Sequence, residues 1–226
     1  MIPIGDQNIR TRGRPWMTWL LVGLNVIVFV YELTLGETQL EQFITRFGTV
    51  PAQITQGENL ISLVTSIFLH GGVVHILSNM VFLLVFGDNV EATLGKVGYL
   101  GFYLLGGLIA SGAHIIANPA AEVPSLGASG AVAAVLGAYV VMFPRSRVKV
   151  LVFWGFYATV TRVAALLFVG VWFVTQFLSG LASLAVSTAQ TGGVAYWAHI
   201  GGFVPGLVVG LLFRKRAQGL AQSSSR

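Results

Sequence analysis

The chain of 226 residues carries 13 Lys and Arg against 8 Asp and Glu, a formal net charge of +5, yet only 9% of its residues are charged and 55% are hydrophobic. A mean hydropathy of +0.79 is more apolar side chain than a water-soluble domain of this length can hide, so the chain reads as a polytopic membrane protein. It has no cysteine, which excludes disulfides and thiolate metal sites. Its basic residues sit in short clusters beside apolar runs rather than along one face, a pattern of membrane topology and not of nucleic-acid binding.

Residues 1–15 are polar and basic, with Arg10, Arg12 and Arg14, and read as a cytoplasmic N-terminal segment. Span 1 follows over about residues 16–35. Its apolar run is too long for a secretory signal and no small-x-small site follows it, so it reads as an uncleaved helix. Trp16 and Trp19 suit an interfacial anchor. The loop 36–60 scatters Phe43, Ile44, Phe47, Val50 and Ile54 among polar residues, which predicts short amphipathic helices on the membrane surface. After the break at His70-Gly71-Gly72, span 2 covers about 73–87 and is ended by Asp88 and Glu91.

Span 3 covers about 97–116, a polar loop 117–126, and span 4 about 129–143, ended by Pro144 and by Arg145, Arg147 and Lys149. That cluster and Arg214, Lys215 and Arg216 should share the cytoplasmic side, which requires an even number of crossings between them. Span 6, about 195–213, is one; the other is placed at about 163–184, leaving 150–161 as an aromatic segment at the inner interface. The outer loops 36–60, 117–126 and 185–194 together hold one basic residue, Arg46. The expectation is an all-α bundle of six transmembrane helices over 16–213 with both termini cytoplasmic. Residues 214–226 form a cytoplasmic tail, polar and disordered from 217.

Polar residues inside these spans need a reason, because burying them in a membrane is costly. Ser129 lies in Gly127-Ala128-Ser129-Gly130, where a polar loop turns into an apolar helix. A serine there sits beside the unpaired N–H groups of a helix N-terminus, as a nucleophile with part of its oxyanion site would. At 1.5 Å per residue, Ser129 lies roughly 24 Å above Arg145 and His199 roughly 22 Å above Arg214, so the two fall within about 2 Å of one depth. On span 2, His75 lies roughly 20 Å above Asp88 and joins the same layer, some 6–10 Å below the outer face of a core about 30 Å thick. His75 and Asn79 are four apart and share a helix face, with His70 about one turn above. Gly202, Gly206 and Gly210 make a small-residue groove on span 6, suited to close packing against Gly130, Ala133, Ala134, Gly137 and Ala138 of span 4. His114 has no evident partner and reads as structural.

Other intramembrane chemistries lack their residues. Lys96, Lys149 and Lys215 all lie at the inner boundary, too far from Ser129 for a Ser–Lys dyad. Asp6 and Asp88 are the only aspartates, which leaves no buried pair. No His-Glu-x-x-His run exists, and His70 and His75, five apart, do not share a helical face.

With these residues the chain resembles the rhomboid family of intramembrane serine proteases. The resemblance rests on His70-x4-His75-x3-Asn79, on Gly-Ala-Ser129-Gly, and on Ala198-His199-x2-Gly202-x3-Gly206. Phe86-Gly-Asp-Asn-Val-Glu91-x3-Gly95 is similar to the family's connection between spans 2 and 3, and the six-helix count to its basic bacterial form. The resemblance implies that Ser129 is the nucleophile and His199 its general base, a dyad with no acidic third member. It implies that His75, Asn79 and the Ser129 N–H stabilise the oxyanion, with Gly127 beside them, and that His70 supports the top of span 2 and a water cavity. Span 5, with Trp172, Phe173 and Gln176, is implied as the mobile side that admits a substrate helix, and loop 36–60 as the membrane-embedded first loop.

The implied substrates are single-span membrane proteins in a lipid bilayer, cut near the outer boundary through an acyl-enzyme, with no metal or organic cofactor. The implied setting is the cytoplasmic membrane of a bacterium. Two departures stand out. The aromatic residue that often stacks on the catalytic histidine, four positions after the nucleophile, is Ala133 here, so another group must orient His199. The first loop also lacks a tryptophan-arginine pair found in some relatives. A non-catalytic rhomboid-like binder or escort of membrane helices is the alternative reading, opposed by the intact Ser129 and His199. A small transporter fits less well, since six helices without repeat symmetry lack that architecture.

Overall fold

The computed structural model describes residues 1–6, 14–155, 157–183 and 195–223. Along them run β1 (Ile2–Asp6), α1 (Trp16–Thr34), α2 (Glu37–Phe47), α3 (Pro51–Thr55), α4 (Ser62–Thr65), a 3₁₀ turn (Ser66–Phe68), α5 (Val73–Leu94), α6 (Lys96–Ala117), α7 (Ser129–Met142), β2 (Arg147–Trp154), β3 (Tyr157–Ala164), α8 (Ala165–Ser183) and α9 (Tyr196–Ser223). Five helices, α1, α5, α6, α8 and α9, are long and apolar enough to cross a membrane, and α7 is a shorter apolar helix. The chain is a mostly helical, multi-pass membrane protein. Arg10, Arg12, Phe156 and the whole of the expected outer loop 185–194 lie outside the described residues.

Helix α7 is the centre. Every residue from Gly130 to Val140 is buried, as expected of a helix that is apolar on all sides. Its 14 residues span only about 21 Å, short of a hydrocarbon core of about 30 Å. At least one of its ends therefore falls within the membrane thickness rather than at a face.

Two seams hold α7. On the α9 side, a Cβ on Gly202 would strike the Gly130 carbonyl, one on Gly206 the Ala134 carbonyl, and one on Gly137 the Phe203 carbonyl. On the α6 side, Ala134 fills the space beside Gly106, and Ala110 that beside Gly130. The small residues on spans 4 and 6 thus let backbones touch, which is how membrane helices gain packing energy without a hydrophobic drive. By contrast, α8 shows its surroundings Leu166, Leu167, Val171, Val174 and Leu178, all exposed, and buries only Ala165, Val169 and Gly180.

Several expectations need correction. Asp88 and Glu91 do not end the second span: α5 runs on to Leu94 and stops at Gly95, whose φ of 78° suits glycine. Glu91 is buried because it caps α1, accepting hydrogen bonds from the N–H groups of Met17 (3.0 Å) and Thr18 (2.8 Å) and from the Thr18 hydroxyl (2.8 Å). A carboxylate at a helix N-terminus satisfies unpaired donors and complements the dipole.

Residues 150–161, expected as an aromatic segment with no conformation assigned, are strands over 150–154 and 157–161. β2 and β3 form an antiparallel hairpin with Lys149 opposite Arg162 and Trp154 opposite Tyr157, and β1 completes a sheet of order β1-β2-β3. Alternating burial of Val148 and Val150 against exposed Arg147 and Lys149 is the period-2 pattern of a half-buried strand. The N-terminal segment is held by that pairing and by Asp6, whose carboxylate accepts from Tyr139 (2.6 Å) and Asn89 (2.7 Å). Burial pushes the Asp6 carboxyl above the usual carboxylate range, against those hydrogen bonds. The tail is not irregular from 217 either; α9 continues to Ser223, with Ala217 fully buried. The loop after span 1 does contain two short helices, α2 and α3.

Candidate active site

Ser129 is the first residue of α7, and the loop before it is pinned from both sides. Ser125 exchanges both backbone hydrogen bonds with Thr49 (2.8 and 2.9 Å), and the Gly127 N–H donates to the Ser66 carbonyl at 2.8 Å. Gly127 sits at φ 124°, a conformation that favours glycine, and a Cβ there would lie 2.7 Å from the His75 ring. The first bond of α7 runs from the Val132 N–H to the Ala128 carbonyl. The N–H groups of Ser129, Gly130 and Ala131 lie ahead of it and carry the positive end of the helix dipole.

His199 stands one turn into α9, three residues before Gly202 and on about the same helix face: the same close seam that brings Gly202 onto Gly130 brings the imidazole to the serine. Nε2 of His199 lies 2.8 Å from Ser129 Oγ. The ring's other nitrogen, Nδ1, lies 2.7 Å from Gln176 Oε1 on α8. The Trp172 ring packs against the imidazole with centroids 5.7 Å apart, and Phe173 stacks on Phe203 of α9 at 4.3 Å. Ala133 leaves no aromatic ring on the α7 side; α8 supplies both the ring contact and the hydrogen bond.

Across the cavity, α5 presents His75 and Asn79. The Gly71 N–H donates to His75 Nδ1 at 3.4 Å, which leaves the proton on Nε2, the nitrogen that faces Gly127. Asn79 is buried, and its Nδ2 has no hydrogen-bond partner among the described residues. An unsatisfied buried amide costs free energy, so a donor left open beside a cavity marks a place where an acceptor can be received. His70 is wedged between Phe29 (6.5 Å) and His75 (5.1 Å), and burial with the nearby His75 lowers its pKa to about 4. It is therefore neutral over the physiological range. His75 and Asn79, with Ser129 and His199, line a cavity of about 780 Å³ whose walls also include Val73, Ser78, Phe82, Leu126, Leu136 and Trp172, while His70 stays behind His75 and outside the lining.

Ser129, His199, His75, Asn79 and Trp172 thus line one cavity; Gln176 joins it through His199, Gly127 and His70 abut the His75 ring, Phe173 packs on Phe203, and Gly202 and Gly206 lie in the α7–α9 seam. Glu32 was missed: it is buried on α1, and both its carboxylate oxygens accept from the His70 N–H at 3.3 Å. An acidic residue inside the first apolar span was the signal available. Gln176 faces the histidine rather than only the route past α8. His114 is buried with Nδ1 unpartnered among the described residues, in keeping with a structural reading and no more.

The family model described as Rhomboid domain matches residues 57–216, which takes in both sides of the Ser129–His199 contact. The chain belongs to the rhomboid family. Among curated rhomboid relatives, it is 33% identical over 134 residues to rhomboid protease GluP of Bacillus subtilis, covering 59% of this chain and 26% of that protein. It is 29% identical over 210 residues to the mitochondrial Rhomboid protein 1 of Saccharomyces cerevisiae, covering 89% of this chain and 54% of that one. It is 31% identical over 114 residues to the mitochondrial Presenilin-associated rhomboid-like protein A of Danio rerio, covering 49% of this chain and 29% of that one. This rhomboid protein therefore spans about half, or less, of the length of these relatives.

Proposed function

We propose that this rhomboid protein is an intramembrane serine endopeptidase that works through a Ser129–His199 dyad. The observation that carries the reading is the 2.8 Å contact between Ser129 Oγ and His199 Nε2 at a cavity lined by open hydrogen-bond donors. Ser129 Oγ attacks the scissile carbonyl carbon as its proton passes to His199 Nε2. The negative charge that develops on the carbonyl oxygen is met by His75 Nε2–H, Asn79 Nδ2–H and the Ser129 N–H, donors already in place before the reaction. Collapse of the tetrahedral intermediate breaks the C–N bond, and the departing amine takes the proton from His199. Water, deprotonated by the same nitrogen, then cleaves the acyl ester and restores Ser129.

The substrates are single-span membrane proteins, cut near the outer boundary, with both ends of this chain cytoplasmic in a bacterial membrane. The depth of Ser129 supports the cut position, and the single basic residue of the outer loops supports the orientation. Helix α8, with Trp172, Phe173 and Gln176, is the side that admits the substrate, supported by its exposed face and few buried residues. A continuous substrate helix hides its scissile bond, so cleavage requires local unwinding, which glycine or proline near the cut makes easier.

The test is cleavage of a single-span reporter protein co-reconstituted with the chain in lipid vesicles. Wild type cuts the reporter near its outer boundary, and Ser129→Ala and His199→Ala do not. Binding of the reporter without cleavage by the wild type would favour a helix-binding role instead.

A further inference from the structure

The imidazole of a Ser–His pair must present an unprotonated Nε2 to the serine, which requires the proton on Nδ1 and something to hold it there. In this chain Ala133 removes the α7 side as a source of support for the ring, and no carboxylate hydrogen-bonds to His199 among the described residues. The group at Nδ1 is an amide. Gln176 Oε1 lies 2.7 Å away.

The amide's orientation is set by its own surroundings. Gln176 Nε2 donates to Thr175 Oγ1 at 3.2 Å, and Thr175 Oγ1 donates in turn to the Trp172 carbonyl at 2.6 Å. With its nitrogen engaged there, the side chain turns its oxygen to His199. An oxygen can only accept, so Nδ1 must donate, and Nε2 is left as the acceptor for Ser129 Oγ–H at 2.8 Å. The hydrogen bonds then run in one direction from Ser129 through His199, Gln176 and Thr175 to the backbone of α8. The opposite amide orientation would offer Nδ1 a donor, move the imidazole proton to Nε2 and disable the pair.

We propose that Gln176 is the positioning residue of this site: its side-chain carbonyl holds His199 in the tautomer Ser129 needs, and it makes the site complete only while α8 is in place. This rests on the dyad reading above. The regulatory consequence follows from where the residue is carried. Helix α8 is held by few buried residues and by ring contacts, Phe173 on Phe203 of α9 and Phe168 on Phe82 and Phe86 of α5, and the Trp172 ring leaves with it. Displacing α8 to admit a helix separates Gln176 and Trp172 from the imidazole, and the return of α8 over a bound substrate restores them. Chemistry is thereby confined to the state in which the flank has closed again.

The experiment compares two reactions in wild type, Gln176→Met and Gln176→Glu. One is the rate of fluorophosphonate labelling of Ser129, since the reagent is small and does not need α8 to move. The other is kcat and KM for a single-span reporter in vesicles. Gln176 is only half-buried, so neither substitution opens the core. Gln176→Met keeps the shape and removes the acceptor; it should slow labelling and lower kcat alike, by about 10- to 100-fold, less than the loss of about 10⁴ seen when a charged orienting group is replaced by one that holds the wrong tautomer. KM should change little. Gln176→Glu keeps an acceptor oxygen and should return both rates to within about threefold of wild type.

A role confined to steric gating would change KM or reporter cleavage and leave labelling untouched, and that result overturns the proposal. So does a Gln176→Glu protein as slow as Gln176→Met. Wild-type protein that is not labelled at Ser129 removes the dyad reading, and the proposal with it; normal wild-type labelling that Gln176→Met does not slow removes the proposal alone.

Discussion

The two flanks of His199 are built differently. On one side, α7 and α9 meet backbone to backbone: the residues facing each other are Gly130, Ala134, Gly202 and Gly206, and no Cβ fits between them. On the other, α8 touches the same histidine through Gln176 and Trp172 while turning Leu166, Leu167, Val171 and Val174 outward. Interiors packed to contact are stiff and bistable at most, whereas elements with few buried contacts open at low cost. The contrast teaches that the proposed dyad and the α8 groups that contact it are carried on parts packed to different degrees. On the proposed reading, the distance between Ser129 and His199 is set by the close seam, and the tautomer of the imidazole by the more open flank.

The largest effect should come from the pair itself. Ser129→Ala or His199→Ala should lower reporter cleavage by at least about 10⁴-fold while leaving insertion and thermal stability unchanged, and the double variant should be no worse than either, because the two act as a unit. Additive losses would separate the serine from the histidine.

Next is the seam. Gly202→Val or Gly206→Val places side-chain atoms where a backbone carbonyl already sits. Each should cost at least about 2 kcal/mol, seen as a lowered melting temperature in detergent, together with loss of Ser129 labelling. An enlargement on the outer face of α8, Val171→Phe, should leave both readings unchanged. If Gly202→Val were as stable as wild type, the stiff side of the comparison would be wrong.

Donors on α5 rank third. His75→Ala and Asn79→Ala should each lower kcat by about 10²–10³, the cost of one oxyanion donor, with KM little altered. A raised KM at normal kcat would instead mark these residues as substrate-binding groups.

Loosening the flank should have the smallest effect. Phe173→Ala removes the stack on Phe203 and should lower both KM and kcat for a helical reporter, each by about threefold, as changes at a moving element do. Replacing glycine or proline near the cut in the reporter by leucine should slow cleavage in vesicles about tenfold or more and matter far less in an unfolded peptide, since unwinding exposes backbone groups that lipid cannot satisfy.

Much of this was legible in the sequence because polar residues in apolar helices are expensive. Ser129, His199, His75 and Asn79 stand out for that reason alone, and a depth ruler of 1.5 Å per residue suffices to align helices that run the same way. What the ruler cannot supply is rotation. Whether Gln176 faces lipid, the cavity or His199 depends on how α8 turns about its axis, and α8 is apolar around most of its circumference, so no stripe reveals its inner face. Glu91 and Asp88 were misplaced for a related reason. A charged residue near a span end reads as solvated, and only the partner helix shows that Glu91 is instead buried under the N-terminus of α1. The hairpin was readable in Arg147–Trp154, with its strand alternation and Gly155 following, but its apolar residues also suit an interfacial segment. The pairing with Ile2–Asp6, far away in the chain, is not predictable from either stretch.

The central claim is that Ser129 is a nucleophile activated by His199, and its most direct measurement is active-site labelling. The wild-type protein in lipid vesicles is treated with a fluorophosphonate and the adduct located by peptide mass spectrometry, beside His199→Ala and a heat-unfolded control. The account predicts one adduct, on Ser129, formed by the folded wild type and absent from both controls. Folded wild-type protein that carries no adduct on Ser129, or His199→Ala protein labelled there at the wild-type rate, would contradict it.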